Sequence, residues 1–233
     1  MKITVFTSDK PRHLYLMKLL SKIVDKLYVF QEFDLKEKKL SELKLKYFKK
    51  VKKEEKKYFG KKEDYKKKNI TKMLLKKGSL NEKIFKKYRN FFNSDLYIVF
   101  GFSIIKGKIL KFLVKKKAIN IHMGISPYYR GTDCNFWALY DNNPKLVGAT
   151  IHLISKRTDA GDILYHVCSS RRKNPFNYTM STVKGAIISL YKKIQNKSLF
   201  KLKPLKQSLT KEIRYSEKKN FTDNIIKKFN KKK

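Results

Sequence analysis

Residues 118–162 read AINIHMGISPYYRGTDCNFWALYDNNPKLVGATIHLISKRTDAGD, and most of the chain's recognisable chemistry lies in this stretch. Its opening alternates like a strand, with Ile119 and Ile121 on one face and Asn120 and His122 on the other. A strand that sends an amide and an imidazole from the same face presents both to one small volume. The chain then turns through Gly124 and Pro127 into an aromatic and basic patch, Tyr128-Tyr129-Arg130-Gly131. A second strand-like run, Val147 to Ile154, carries His152, and Asp159 follows in the turn Thr158-Asp159-Ala160-Gly161-Asp162. An Asn, a His and an Asp drawn together from two strand ends make an acid–base and oxyanion-stabilising set.

Upstream of this stretch, Leu96 to Phe100 is a continuous apolar strand ending in Gly101-Phe102-Ser103, and Ile104 to Val114 is read as the helix that follows it. Two strands therefore end at one crevice, the usual ligand position in an open α/β sheet. The N-terminus opens the same way. Ile3 to Phe6 is a strand, Ser8 or Asp9 is expected to cap a helix with Pro11 in its first turn, and Leu14, Met17, Leu20 and Ile23 form its apolar stripe. Leu27 to Phe30 closes a βαβ unit. The first βα turn, Thr-Ser-Asp-Lys-Pro-Arg, has no glycine for a phosphate loop.

From Asp34 to Asn93 the chain is dense in Lys and reads as helices. One, on Leu40, Leu43, Tyr47, Val51 and Tyr58, stops at Gly60; another starts at Ser79, with Glu82 completing a capping box, and turns Ile84, Phe85, Tyr88, Phe91 and Phe92 inward. Residues 60 to 78 are the least predictable. Downstream, Asp133 is expected to cap a helix from Cys134 to Tyr140, in which Trp137 is read as core packing ahead of substrate stacking. A strand at Ile163 to Val167 and a helix at Thr179 to Ile194 close the pattern. This is an α/β fold, a Rossmann-like, doubly wound, mostly parallel sheet with helices on both faces. Residues 1–195 are assigned to it, with the Lys-rich helical insertion at about 35–93. Residues 196–233 are read as a short basic tail with one small helix around Ile225, Ile226 and Phe229.

A length of 233 residues suits one such domain, and 41% hydrophobic residues with 16 Phe and 14 Tyr exclude wholesale disorder. Lys and Arg number 58 against 19 Asp and Glu, a formal charge of +39. Such a field attracts nucleic acid or anionic membranes. A lysine bias at every solvated position produces it too, and the even scatter of Lys and the scarcity of Arg favour that reading. Cys134 and Cys168 lack metal or redox spacing and are expected to be reduced thiols. No apolar run is long enough to span a membrane, no signal-peptide pattern opens the chain, and a soluble cytoplasmic protein is expected.

The Asn-x-His strand end, the Ser-Pro-x-x-Arg-Gly loop and the Asp-x-Gly-Asp turn, in this order, resemble the formyltransferase family that uses 10-formyltetrahydrofolate. The resemblance is sharp over residues 95–165 and architectural outside them. It implies that Asn120, His122 and Asp159 are the catalytic set. It also implies a pterin between Gly101, Phe102 and Ser103 on one side and Ser155, Lys156, Arg157 and Thr158 on the other, with no metal. Tyr128, Tyr129, Arg130 and Gly131 are candidates for substrate binding; Arg130 either holds an anionic group of the substrate or ties down its own loop. His152 is read as supporting the set, and His13 and His166 stand outside any motif. The family's ribonucleotide enzymes cradle phosphate at the glycine-rich first turn that this chain lacks, and its tRNA enzymes carry a β-barrel for which the tail is too short. The implied substrate is an anionic nucleotide-linked amino sugar, formylated for surface polysaccharide synthesis. The alternatives are a methionyl-tRNA formyltransferase-like enzyme and a basic nucleic-acid-binding protein on a degenerate fold. Oligomeric state stays open, a homodimer included.

Overall fold

The computed structural model describes residues 1–34, 39–62 and 65–231. The strands are β1 (Lys2–Ser8), β2 (Lys26–Phe33), β3 (Ile70–Lys76), β4 (Leu96–Phe100), β5 (Ile119–His122), β6 (Tyr129–Gly131), β7 (Gly148–Leu153), β8 (Ile163–Cys168) and β9 (Arg214–Ser216). The helices are α1 (Pro11–Leu20), α2 (Glu42–Phe59), α3 (Glu82–Lys87), α4 (Gly107–Lys115), α5 (Cys134–Tyr140), α6 (Pro175–Gln195) and α7 (Asp223–Lys231). Seven strands form one sheet in the order β3-β2-β1-β4-β5-β7-β8, and β6 pairs with β9 in a second, two-stranded sheet. Strands β3 to β5 of that order run parallel, and β7 and β8 extend the sheet antiparallel.

The period-two rule sorts the central strands between two cores. Ile3, Val5, Leu27, Val29, Ile98 and Ile121 face α1 and α6, where Leu16, Met17, Leu20, Ile187 and Leu190 meet them. Phe6, Phe30, Tyr97 and Val99 face the other way, onto Ile109 and Leu113 of α4, the α3 side chains, and Phe91 and Phe92. Both faces of the sheet are covered, as a doubly wound fold requires. Each fully buried Ile, Leu or Phe contributes about 2 kcal/mol. The order reverses direction between β1 and β4, and the crevice the sequence marks lies beside that point, at the carboxyl ends of the neighbouring strands β4 and β5.

Several local expectations are corrected. Neither Ser8 nor Asp9 caps α1: its cap is Lys10, without a side-chain bond, Ser8 is hydrogen-bonded to His13, and Asp9 pairs with Lys62. Pro11 at the first helical position removes one N–H that a cap would serve. The α3 cap is Asn81, whose Oδ1 accepts from the Ile84 N–H at 3.1 Å, while the Ser79 hydroxyl closes a turn onto the Lys76 carbonyl. Asp133 precedes α5 with φ 56° and makes no capping bond. Helix α4 begins three residues after Ile104, and α6 begins four before Thr179, capped by Asn174. Gly60 does end α2, at φ 81°. Within the stretch read as all helix, β3 is a strand; it lies at the sheet edge with one partner, where a sequence that mixes lysines with apolar residues suffices. Residues 35–38 and 63–64 of that stretch, and 232–233 of the tail, lie outside the described residues. The tail is woven into the fold: Leu205 bridges to Ile163 at the edge of β8, and β9 docks on β6.

Glu32, at the carboxyl end of β2, is 2% exposed and shapes the crevice. Its two carboxylate oxygens accept from the Gly78 N–H at 2.7 Å and the Ser103 N–H at 2.9 Å, tying the turn after β3 to the loop after β4. Glu32→Ala leaves both donors without that acceptor and is expected to cost about 3 kcal/mol of stability, read from denaturant unfolding.

Candidate active site

Strand β5 carries Asn120 and His122 on the face opposite Ile119 and Ile121, and β7 runs antiparallel beside it with His152 directly across from Asn120. The turn from Ser155 to Asp162 folds back over this pair. Gly161 makes the close approach possible: a Cβ there would lie 1.7 Å from the Leu153 carbonyl oxygen. Asp159 itself sits at φ 48°, in the left-handed region that Asp tolerates better than most residues.

The Asp159 carboxylate is the meeting point. Its Oδ1 accepts from the Asn120 amide at 3.1 Å and lies 3.6 Å from His152 Nε2. Its Oδ2 accepts from the Gly131 N–H at 3.1 Å and faces His122 Nδ1 at 3.3 Å. Asn120, His122 and Asp159 are thus brought together, and His152 joins them.

Carbonyl partners fix the tautomers, because a carbonyl can only accept. His152 Nδ1 lies 2.8 Å from the Leu153 carbonyl and carries the proton, so in the neutral ring Nε2 accepts from the Asn120 amide at 3.1 Å. His122 Nε2 lies 2.9 Å from the Tyr129 carbonyl and is likewise a donor, which leaves Nδ1, facing Asp159, as the nitrogen that gains or loses a proton. Burial pushes the His122 pKa below the ordinary imidazole value, more than the Asp159 charge lifts it. Burial also penalises the Asp159 carboxylate, but His122, His152 and the Gly131 N–H outweigh it and hold its pKa well below the usual range. The resulting group is an ionised carboxylate beside a buried imidazole.

The surrounding residues take distinct places. Arg130, 5% exposed, is paired with Glu212 at 2.6 Å and donates twice to the Thr158 carbonyl, at 2.8 and 3.3 Å, so in this structure it ties its loop to the Asp159 turn. Tyr129 is fully buried, its hydroxyl against Asp141 and Asn143, and Tyr128 is half-buried. The buried Thr150 hydroxyl bonds both the Gly124 carbonyl and the Ser126 N–H, setting the turn beside His122. Gly101 is exposed at φ 64°, backed by the His13 ring, and Phe102 packs edge-on against Phe6. Lys156, Arg157 and Thr158 are exposed; Ser155 bonds the Arg157 carbonyl at 2.8 Å. Trp137 is 2% exposed, in core packing, with Arg214 over its ring. His166 bonds the Ser126 carbonyl at 2.9 Å. Residues that sequence reasoning missed are Glu32, Thr150, Gln207 and Glu212, whose partners lie far away along the chain. Among the described residues no group of three or more His, Cys, Asp or Glu side chains is arranged to hold a metal ion, and no helix is long and apolar enough to cross a membrane.

Comparison with known proteins matches residues 1–172 to the family model described as formyl transferase. A GDP-perosamine N-formyltransferase of Brucella melitensis is 35% identical over 74 residues, which span 31% of this chain and 28% of that relative's length. In fold, the chain is similar to a 4-N formyltransferase from Francisella tularensis, with TM-score 0.61, 20% identity, and coverage of 94% of this chain and 77% of the other. It is also similar to the formyltransferase PseJ from Anoxybacillus kamchatkensis, solved with UDP-4,6-dideoxy-4-formamido-L-AltNAc and tetrahydrofolate, with TM-score 0.58, 18% identity and coverage of 98% and 97%.

Both pKa shifts act in one direction on stability. His122 binds a proton more weakly folded than unfolded, so its contribution is complete above about pH 6.5 and is lost as pH falls below it. The Asp159 contribution is present above about pH 4 and is lost with further acidification. Imidazole NMR is expected to give a His122 midpoint below the ordinary value, and Asp159→Asn is expected to lower it further; a rise in that variant contradicts the pairing.

Proposed function

The chain belongs to the formyl transferase family, and from that premise we propose that it moves a formyl group from 10-formyltetrahydrofolate to the primary amine of a nucleotide-linked amino sugar. The observation that carries this reading is the convergence of Asn120, His122 and Asp159 on one face of β5, beside the crevice at the strand ends. The names of the Brucella relative and of the Anoxybacillus structure support the substrate class. A net charge of +39 favours capture of an anionic nucleotide sugar.

The crevice suits a flat pterin. At Gly101 its wall is exposed backbone without a side chain, since a Cβ would strike His13 at 2.5 Å, and Glu32 holds the Ser103 N–H in place behind it. We assign Gly101 to Ser103 to one wall and Ser155 to Thr158 to the other, with Tyr128 and Gly131 toward the sugar. Bound there, the folate supplies the formyl carbon. The chain's own residues then have two tasks. The first is to receive negative charge on an oxygen, for which Asn120 is placed. Both its amide protons are engaged as folded, one by the neutral His152 Nε2; a developing oxyanion is a stronger acceptor than that nitrogen and draws this proton off. The second is to take up the proton that the amine loses. The His122–Asp159 couple accepts it as a unit, on the Nδ1 side, and gives it up to the departing folate nitrogen, so that no net proton stays on the protein.

Residues 1–195 form the catalytic domain in this reading, and 196–233 the segment that braces it. A cytoplasmic location is part of the same proposal. Purified protein given 10-formyltetrahydrofolate and a panel of nucleotide-linked amino sugars is expected to release tetrahydrofolate with at least one of them. His122→Ala and Asp159→Ala are each expected to lower kcat by about 100-fold or more, and Asn120→Ala by a similar factor. Formylation of methionyl-tRNA with no sugar turned over contradicts the substrate; absence of both turnover and folate binding contradicts the activity.

A further inference from the structure

The segment after α6, read from sequence as a basic tail, runs along the back of the Asp159 turn. Leu205 is paired with Ile163 through two backbone bonds of 2.7 and 2.8 Å, and the N–H groups of Ile213 and Arg214 reach the Tyr128 carbonyl at 2.9 and 3.0 Å. Between these two anchor points Gln207 projects at the turn. Its amide Nε2 donates to the Asp159 carbonyl at 3.2 Å and to the Gly161 carbonyl. Five residues on, Glu212 grips Arg130, whose guanidinium donates to the Thr158 carbonyl. Three carbonyls of one short turn, at 158, 159 and 161, are thereby held by donors that the C-terminal segment supplies or orients.

We propose that Gln207 is a positioning residue for Asp159, and that with the Glu212–Arg130 pair it fixes the carboxylate against His122 and Asn120. Two features set this clamp apart from ordinary packing. Both partners of Nε2 are carbonyls, so the amide orientation is determined, and the price is a buried Oε1 with no partner. Moreover, the held residue lies at φ 48°, a conformation that persists where its surroundings over-determine it. The carboxylate's own bonds to Asn120 and Gly131 fix its oxygens, whereas Gln207 fixes the peptide from which the side chain springs.

This inference rests on the proposed reaction only for its kinetic test. The groups that face His122 are Asp159 from the turn, His152 from β7 and Arg130 from β6, with the Cys134 thiol of α5 close to the Asp159 charge. Loosening the turn weakens the nearby charge that does most to raise the His122 pKa, the Tyr129 carbonyl being the lesser contributor. Gln207→Met, which keeps the shape and removes the donors, is expected to move the His122 NMR midpoint downward by on the order of half a pH unit, leaving His13 unmoved. Gln207→Lys, which restores a donor, is expected to return it toward the wild-type value. Glu212→Gln is the second variant should Gln207→Met fold poorly, with a downward shift again expected. If the reaction is as proposed, kcat falls on the order of tenfold in Gln207→Met while KM for the folate holds. An unchanged His122 midpoint in both Gln207→Met and Glu212→Gln, whatever their melting temperatures, overturns the proposal. A shifted midpoint without formyl transfer in the wild type supports the clamp and refutes the reaction instead.

Discussion

A buried carboxylate is costly unless its charge is met, and at Asp159 the requirement is met by four groups from three strands. Asn120 and His122 arrive from β5, His152 from β7, and the Gly131 N–H from the end of β6. Removing any one leaves charge or a donor unsatisfied in a site where water does not compensate. The consequences reach outward: the turn must pack against Leu153 without a side chain at Gly161, the strands must hold their register, and the C-terminal segment must return to hold the backbone. The same convergence that makes Asp159 tolerable inside the protein gathers an amide and an imidazole at one point, where the proposed formyl transfer would use them.

What was legible in the sequence follows from how local each signal is. The apolar runs Ile3–Phe6, Leu27–Phe30 and Leu96–Phe100 could be read because strands buried on both faces need continuous apolar residues. The Asn-x-His spacing could be read because alternation alone puts both side chains on one face. β3 could not: it is a short edge run, ITKMLLK, without strict alternation, set among Lys-rich segments that read as helix. Caps were misassigned at Ser8 and Ser79 because the hydroxyl had a competing partner, and Asp133 stands at the expected cap position but at a backbone angle that leaves its side chain without a capping bond; both depend on the turn's path and not on residue type.

Within the site, the three residues of the motif stand together, while the readings of their neighbours depended on contacts no local pattern encodes. Arg130 has the fork of an anion binder, yet its donors meet Glu212 and Thr158, which lie 82 and 28 residues away. Gln207 lies in a stretch whose composition gives no hint of a structural task, and its partners lie 46 and 48 residues earlier. Such long-range polar contacts are set by topology, here by the return of the chain past β8 to β6, and become visible only when the sheet order is known.

The most direct test of this account is a crystal structure of the protein soaked with 5-formyltetrahydrofolate, a folate whose formyl group is not poised for transfer. The account predicts the pterin at the crevice between residues 101–103 and 155–158, with the reactive end of the folate within hydrogen-bond reach of the Asn120 amide and the Asp159 carboxylate still on His122 and Gly131. A folate seated elsewhere on the surface, or a pterin at the crevice with its reactive end turned away from Asn120 and His122, would contradict it.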